Sequence, residues 1–264
     1  GAGSEAGTET GIACIENVSR RSFLAGVTGF TVALQIMPAM AFESYPHGGQ
    51  SMPNGVVNDP HVFVSIATDG TVTIVAHRSE MGTGSRTTIP MIIADEMEAD
   101  WDRVKIIQAE GDEKKYGNQD TDGSRSLRHN IQPAREMGAA VRRMLEQAAA
   151  TIWGADVADV EALNHQVVHK SQDRRLSYGE LAEAAMELST PARNSLRFKD
   201  EKEFRYIGKG DIPIYDLHDI TTGKANYGAD ISLPGMKYAV IARSPAVGAT
   251  IRSVDDTAAL AIAG

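Results

Sequence analysis

Apolar and polar positions change period several times along this chain, and each change marks an expected element. In HVFVSIATDGTVTIVAH, Val62, Val64 and Ile66 alternate with their neighbours, and Val72, Ile74 and Ala76 do so again beyond Asp69-Gly70. Period-two alternation on both sides of an Asp-Gly pair predicts two strands joined as a hairpin. From Ser85 the period lengthens. Ile89, Ile92, Ile93 and Met97 fall at helical spacing, with Pro90 tolerable only in the first turn or two. RVKIIQA then reads as a short strand, and EGDEKKYGNQDTDGSRS as a polar loop longer than a structural connection needs. Next, Ala134, Met137, Val141, Met144, Leu145, Ala148 and Ile152 share one face of a long helix that Pro133 starts or kinks and Gly154 stops.

The remaining pattern is less regular. LNHQVVHK predicts a two-stranded unit, and Ser177 with Glu180 forms a capping box for a helix ending near Leu188. Residues 191–210 are polar and read as an interdomain linker. A new region then runs over 211–264, with GMKYAVIARSP as its clearest strand. A region of ~50 residues with so few apolar positions buries little core alone, so it is expected to begin a domain completed elsewhere. The expected class is α+β, with hairpins and mixed sheets packed against long helices.

Composition narrows the function. A formal net charge of −9 argues against wrapping nucleic acid. One cysteine, Cys14, excludes an intrachain disulfide, a CxxC zinc site and a self-contained iron–sulfur cluster, and the histidines form no HExxH pair. Residues 1–42 read as a tail followed by an address. Arg20-Arg21 precede Phe23-Leu24, a Gly-, Ala- and Thr-rich apolar run follows, and Ala39-Met40-Ala41 resembles a cut site. This order resembles a twin-arginine export signal, so a periplasmic location is expected. That route suits proteins exported already folded, often around a cofactor.

Two glycine loops are the candidate site. SEMGTGSRTTIP lies between the hairpin and the first helix, where free backbone N–H groups and a helix N-terminus favour an anion. A Walker loop would need Gly-Lys-Ser/Thr, whereas Ser85-Arg86 follow Gly84; a Rossmann fingerprint would need glycine where Thr87 stands. A plain turn needing positive φ remains open. The second loop, TDGSRSLRH, places Gly123, Ser124, Arg125, Ser126 and Arg128 ahead of the long helix. If that helix begins near Ser124, its N-terminus is a second anion site, and two such sites suit a ligand with two phosphates. Asp120 and Asp122 lack the further ligands of a calcium loop.

DGTVTIVAHRSEMGTGSRTTIPMIIADEMEADWDRVKI, DGSRS and the alanine-rich helix resemble the molybdopterin-binding subunit of the xanthine dehydrogenase/aldehyde oxidase family. The likeness is to its bacterial exported branch, with isoquinoline 1-oxidoreductase beta subunits and membrane-associated aldehyde dehydrogenases. DITTGKANYGADISLPGMKYAVIARSP resembles the opening of that family's hammerhead domain. The resemblance implies a molybdopterin-binding segment over 43–190 and an incomplete hammerhead over 211–264. It also implies a molybdenum hydroxylase that takes oxygen from water and passes electrons to [2Fe–2S] clusters on a small partner subunit. The other implied partners are the remainder of the molybdopterin subunit and a membrane cytochrome c subunit.

The family's M-G-Q-G loop matches Met81, Gly82, Thr83 and Gly84, with threonine in place of glutamine; Thr83 keeps a hydroxyl but not the longer amide. Its Ser-x-Ser segment matches Ser124, Arg125 and Ser126 after Gly123, and the cofactor is expected in its cytosine dinucleotide form. The family's catalytic glutamate and its F-G-G-K-like segment have no counterpart here, and nothing marks Glu80 as that base. The base is therefore expected on another chain. The competing reading is an exported binding or interaction module, inert in catalysis. A hydrolase or phosphotransfer domain is disfavoured, because paired metal carboxylates and a Ser-His-Asp or Cys-His set are missing.

Overall fold

A computed structural model describes residues 52–262. The expected export signal and Cys14 lie outside these residues. Among the described residues no helix is long and apolar enough to cross a membrane. The chain separates into two units, one ending at His218 and the other beginning at Asp219.

In the first unit a short helix α1 (Pro60–Phe63) runs into strand β1 (Val64–Ile66), which pairs antiparallel with β2 (Val72–Ala76). The expected hairpin forms around Asp69-Gly70, with Gly70 at φ 88° and the Asp69 carboxylate accepting the Thr71 N–H at 2.7 Å. Val62 is not in the strand. Asp59 caps a helical turn there and Pro60 occupies its first position, so the strand opens only at Val64.

Helix α2 (Ser85–Glu96) follows the glycine loop with Pro90 in its second turn, and β3 (Val104–Gln108) pairs parallel to β2. The β2–α2–β3 run is therefore a βαβ unit built on the hairpin. The polar stretch after β3 holds a short helix α3 (Glu113–Tyr116) and a four-residue helix α4 (Arg125–Arg128). Helix α5 (Ile131–Trp153) ends at Gly154 in the left-handed conformation, as expected. Its predicted face is buried from Ala134 to Ala148, whereas Ile152 in the last turn is 52% exposed. Strands β4 (Val160–Leu163), β5 (Gln166–His169) and β6 (Arg175–Ser177) form an antiparallel sheet, one strand more than the pattern suggested. Ser177 and Glu180 make the capping box of α6 (Tyr178–Met186).

Helices α2 and α5 form the centre of the core. Gly138 of α5 permits their approach: a Cβ there would lie 2.5 Å from the Ile93 carbonyl oxygen and 2.6 Å from Glu96 Cβ. The polar 191–210 segment, expected as a linker, is bound onto this helix pair. Lys199 is buried and its Nζ lies 2.7 Å from Asp95 Oδ1, while Asp95 also accepts the N–H groups of Arg205, Tyr206 and Ile207. Arg135 pairs with Glu96 at 2.6 Å and donates to the Lys199 carbonyl at 2.7 Å. Lys199, one of the charges that made this segment look solvated, fastens it together with the segment's own backbone groups.

The second unit, over residues 219–262, contains a short helix at Thr257–Leu260 and, among the described residues, no strand. The expected strand GMKYAVIARSP is unpaired. Tyr238 is 82%, Val240 97% and Ile241 76% exposed, so its alternating side chains have no packed face to define them.

Candidate functional site

The first glycine loop joins the carboxyl end of β2 to the N-terminus of α2, and β3 lies parallel beside β2. In sheets of this kind that is where ligands collect, because helix N–H groups and loop backbone converge there. Sequence reading saw only the antiparallel hairpin, since the β2–β3 pairing spans a whole helix.

The loop's N–H groups are not free. Glu80 Oε1 accepts those of Gly82 at 2.7 Å, Thr83 at 2.7 Å and Gly84 at 3.1 Å, and Glu80 Oε2 accepts that of Arg86 at 3.0 Å. Burial is the largest single influence on Glu80 and raises its pKa, yet the four N–H donors together hold the carboxyl below its ordinary value. Gly82 and Gly84 sit at φ 96° and 77°, and a Cβ on either would meet nothing within 4 Å. Glycine is thus required by backbone conformation, and the outer face of the loop is open. Met81 is 70% exposed at its tip, and the Thr83 and Ser85 hydroxyls lie 3.4 Å apart.

In the second loop Gly123 and Ser124 both have positive φ, 46° and 59°. Ser124 opens α4, not the long helix, which starts at Ile131 after Asn130. A four-residue helix sums too few peptide dipoles to make the expected second anion site. Arg125 is paired with Asp122. Ser126 is buried, its Oγ accepting from Arg78 Nε at 3.3 Å and lying 3.2 Å from Thr121 Oγ1.

The two loops nevertheless meet. Ser79 donates its N–H to the Gln119 carbonyl at 3.1 Å, and the Thr121 hydroxyl donates to the Ser79 carbonyl. Beneath the junction lie His77, Arg78 and Asn130, all buried. Arg78 Nη2 has no hydrogen-bond partner among the described residues; His77 Nδ1 and Asn130 Nδ2 lack one by geometry, although the Asn130 side chain lies close enough to act on the His77 imidazole. Burial first, and then the Arg78 charge, push the His77 imidazole down to about 4, so it is neutral at pH 7. Sequence reading missed these three; their only signal was adjacency to the loops.

The surroundings carry charges of both signs: Arg78, Arg125 and Arg128 act here, as do Asp120, Asp122 and Glu113. His129 is held below its ordinary pKa by partial burial first, then by Arg128, Arg125 and Arg78. An anionic group rich in hydrogen-bond acceptors fits spare donors, open glycine faces and converging guanidiniums. Among the described residues no group of three or more His, Cys, Asp or Glu side chains is set to hold a metal ion.

The profile of the molybdopterin cofactor-binding domain family matches residues 26–213. The chain belongs to this family. It is 32% identical to the isoquinoline 1-oxidoreductase subunit beta of Brevundimonas diminuta over 94% of this chain and 36% of the relative. It is 33% identical to a membrane-bound aldehyde dehydrogenase (pyrroloquinoline-quinone) of Gluconacetobacter polyoxogenes over 94% of this chain and 32% of the relative. The chain thus spans about a third of the length of these relatives. Among solved structures, a Cu,Mo-CO dehydrogenase in its carbon monoxide reduced state is similar at 24% identity and a TM-score of 0.40, covering 46% of this chain and 15% of that one.

Proposed function

We propose that this chain is the molybdopterin-holding part of a molybdenum hydroxylase that oxidises an aldehyde or an N-heteroaromatic substrate. The observation that carries the reading is the junction of the two loops, where unpartnered buried donors and open glycine backbone meet within a cofactor-domain match. Gly82 and Gly84 offer a flat approach to the pterin. Thr83 and Ser124 supply hydroxyls, and Arg125 and Arg128 supply charge for the phosphates of a cytosine dinucleotide form. When bound, the cofactor supplies a molybdenum centre able to accept two electrons from a substrate carbon, with the oxygen taken from water.

The residues of this chain bind and orient; none of them is assigned as the catalytic base. Glu80 is read instead as a loop-closing group, since both of its oxygens accept backbone N–H groups. The base, the [2Fe–2S] clusters and any membrane cytochrome c subunit belong to the rest of the assembly. Arg20-Arg21 and the apolar run after them support export of that assembly to the periplasm.

Metal and nucleotide analysis of the purified assembly tests the proposal. Molybdenum and a cytidine nucleotide, both near-stoichiometric with this chain, are expected. A preparation that contains pyrroloquinoline quinone and no molybdenum, or neither group, rejects it.

A further inference from the structure

The Arg78 side chain is 1% exposed, yet no carboxylate among the described residues lies within the 4.0 Å of an ion pair. Nε donates to Ser126 Oγ at 3.3 Å, and Nη1 donates to the Asn118 carbonyl at 2.7 Å and to the Asn118 side-chain oxygen. Those acceptors are neutral, and Nη2 has none. A buried guanidinium is normally matched by an anion, because leaving it unmatched costs several kcal/mol. Meanwhile the helix N-terminus that would hold an anion is filled by Glu80.

We infer that Arg78 is a positioning residue for the bound anion: it fastens the 118–126 segment to the end of β2 and supplies the buried positive charge against which a phosphate settles. Arginine is suited to both tasks, since one planar group reaches Ser126 and Asn118 together and stays charged. Asp120, Asp122 and Glu113 act on Arg78 through the field without forming an ion pair with it, and Asp122 is already paired with Arg125. Nη2 therefore remains a charged donor without an acceptor of its own. The inference rests on the cofactor reading for the identity of the anion, but the clamp and the charge are properties of this chain alone.

Hydrogen exchange over residues 118–128, with and without inorganic pyrophosphate, tests it in preparations of the wild type, Arg78→Lys and Arg78→Met freed of bound cofactor. In the wild type, pyrophosphate should slow exchange there. Arg78→Met should exchange about tenfold faster or more, as expected for losing charged hydrogen bonds, and should lose the pyrophosphate response. Arg78→Lys should recover the response through its charge without recovering full basal protection. This second variant also keeps the test decisive if Arg78→Met fails to fold. Wild-type protection in Arg78→Met, or a wild type indifferent to pyrophosphate, overturns the inference. A wild type that responds to pyrophosphate but, as purified, carries no molybdenum counts against the cofactor reading alone.

Discussion

Glu80 Oε1 accepts the N–H of Gly82 at 2.7 Å, so the glycine loop closes on a carboxylate from its own chain. The two glycines and the acid form one device. Positive φ turns successive N–H groups inward, and Glu80 gathers them. Because the carboxyl pKa is lowered in the fold, its contribution is fully present above the ordinary carboxylate value and is lost as pH falls through the lowered one. Amide resonances of Gly82, Thr83, Gly84 and Arg86 should therefore move together below about pH 4.5. In Glu80→Gln the same resonances should show no acid transition. An unchanged transition in that variant would remove Glu80 from the loop.

His77 is a second pH-sensitive group, with the same sign from the opposite chemistry. Its pKa falls from 6.5 to about 4, so the unfolded chain binds a proton that the fold refuses. Stability is full above pH 6.5 and declines as pH falls toward 4, by roughly 3 kcal/mol at about 1.4 kcal/mol per unit. Urea unfolding between pH 7 and 4.5 should show a shallower decline in His77→Gln than in the wild type. Parallel curves would show that His77 is not the group responsible. His165 is depressed in the same direction, mainly by burial, and leaves a residual slope in both proteins.

Lys199 binds Asp95 and Glu98 in a buried network, and Asp95 receives three N–H groups from residues 205–207. Lys199→Met leaves two buried carboxylates short of a partner and should cost about 3–5 kcal/mol. Adding Asp95→Asn should recover part of that loss, because it removes one of the stranded charges. Equilibrium denaturation of the single and double variants measures both effects.

Gly138→Ala sets two effects against each other. Alanine gains about 1 kcal/mol of helix propensity over glycine. Its Cβ, however, would collide with the Ile93 carbonyl and Glu96 Cβ, at 2.5 and 2.6 Å, and overpacking of that kind costs about 1–3 kcal/mol. Neither atom is the end of a flexible side chain, so the collision should win and the midpoint of thermal unfolding should fall. A raised midpoint would mean that α2 and α5 separate readily.

Elements specified by their own sequence were legible. The Asp69-Gly70 hairpin, the α5 stripe with its Gly154 stop and the Ser177–Glu180 box each rest on contacts within a few residues or within one element. Long-range pairing was not legible. The β2–β3 parallel pair depends on α2 folding between them; α5 starts at Ile131, close to the Pro133 start that the pattern offered, and not at Ser124, the condition on which a second helix N-terminal anion site depended. Residues 191–210 looked like a solvated linker because composition does not reveal that Lys199 reaches buried Asp95 on α2, or that the Arg197 backbone carbonyl accepts from Arg142 on α5. At the candidate site, sequence singled out both loops but not Arg78 or His77, each of which is buried with one side-chain nitrogen lacking a partner.

The most direct test compares molybdenum and cytidine nucleotide content in the purified wild-type assembly with that of Gly82→Val and Gly84→Val. Near-stoichiometric content of both in the wild type is expected, with loss from each variant, because valine cannot adopt φ near 96° or 77° and its side chain would project into the open face. Full retention in both variants, or a wild type without molybdenum, would contradict the account.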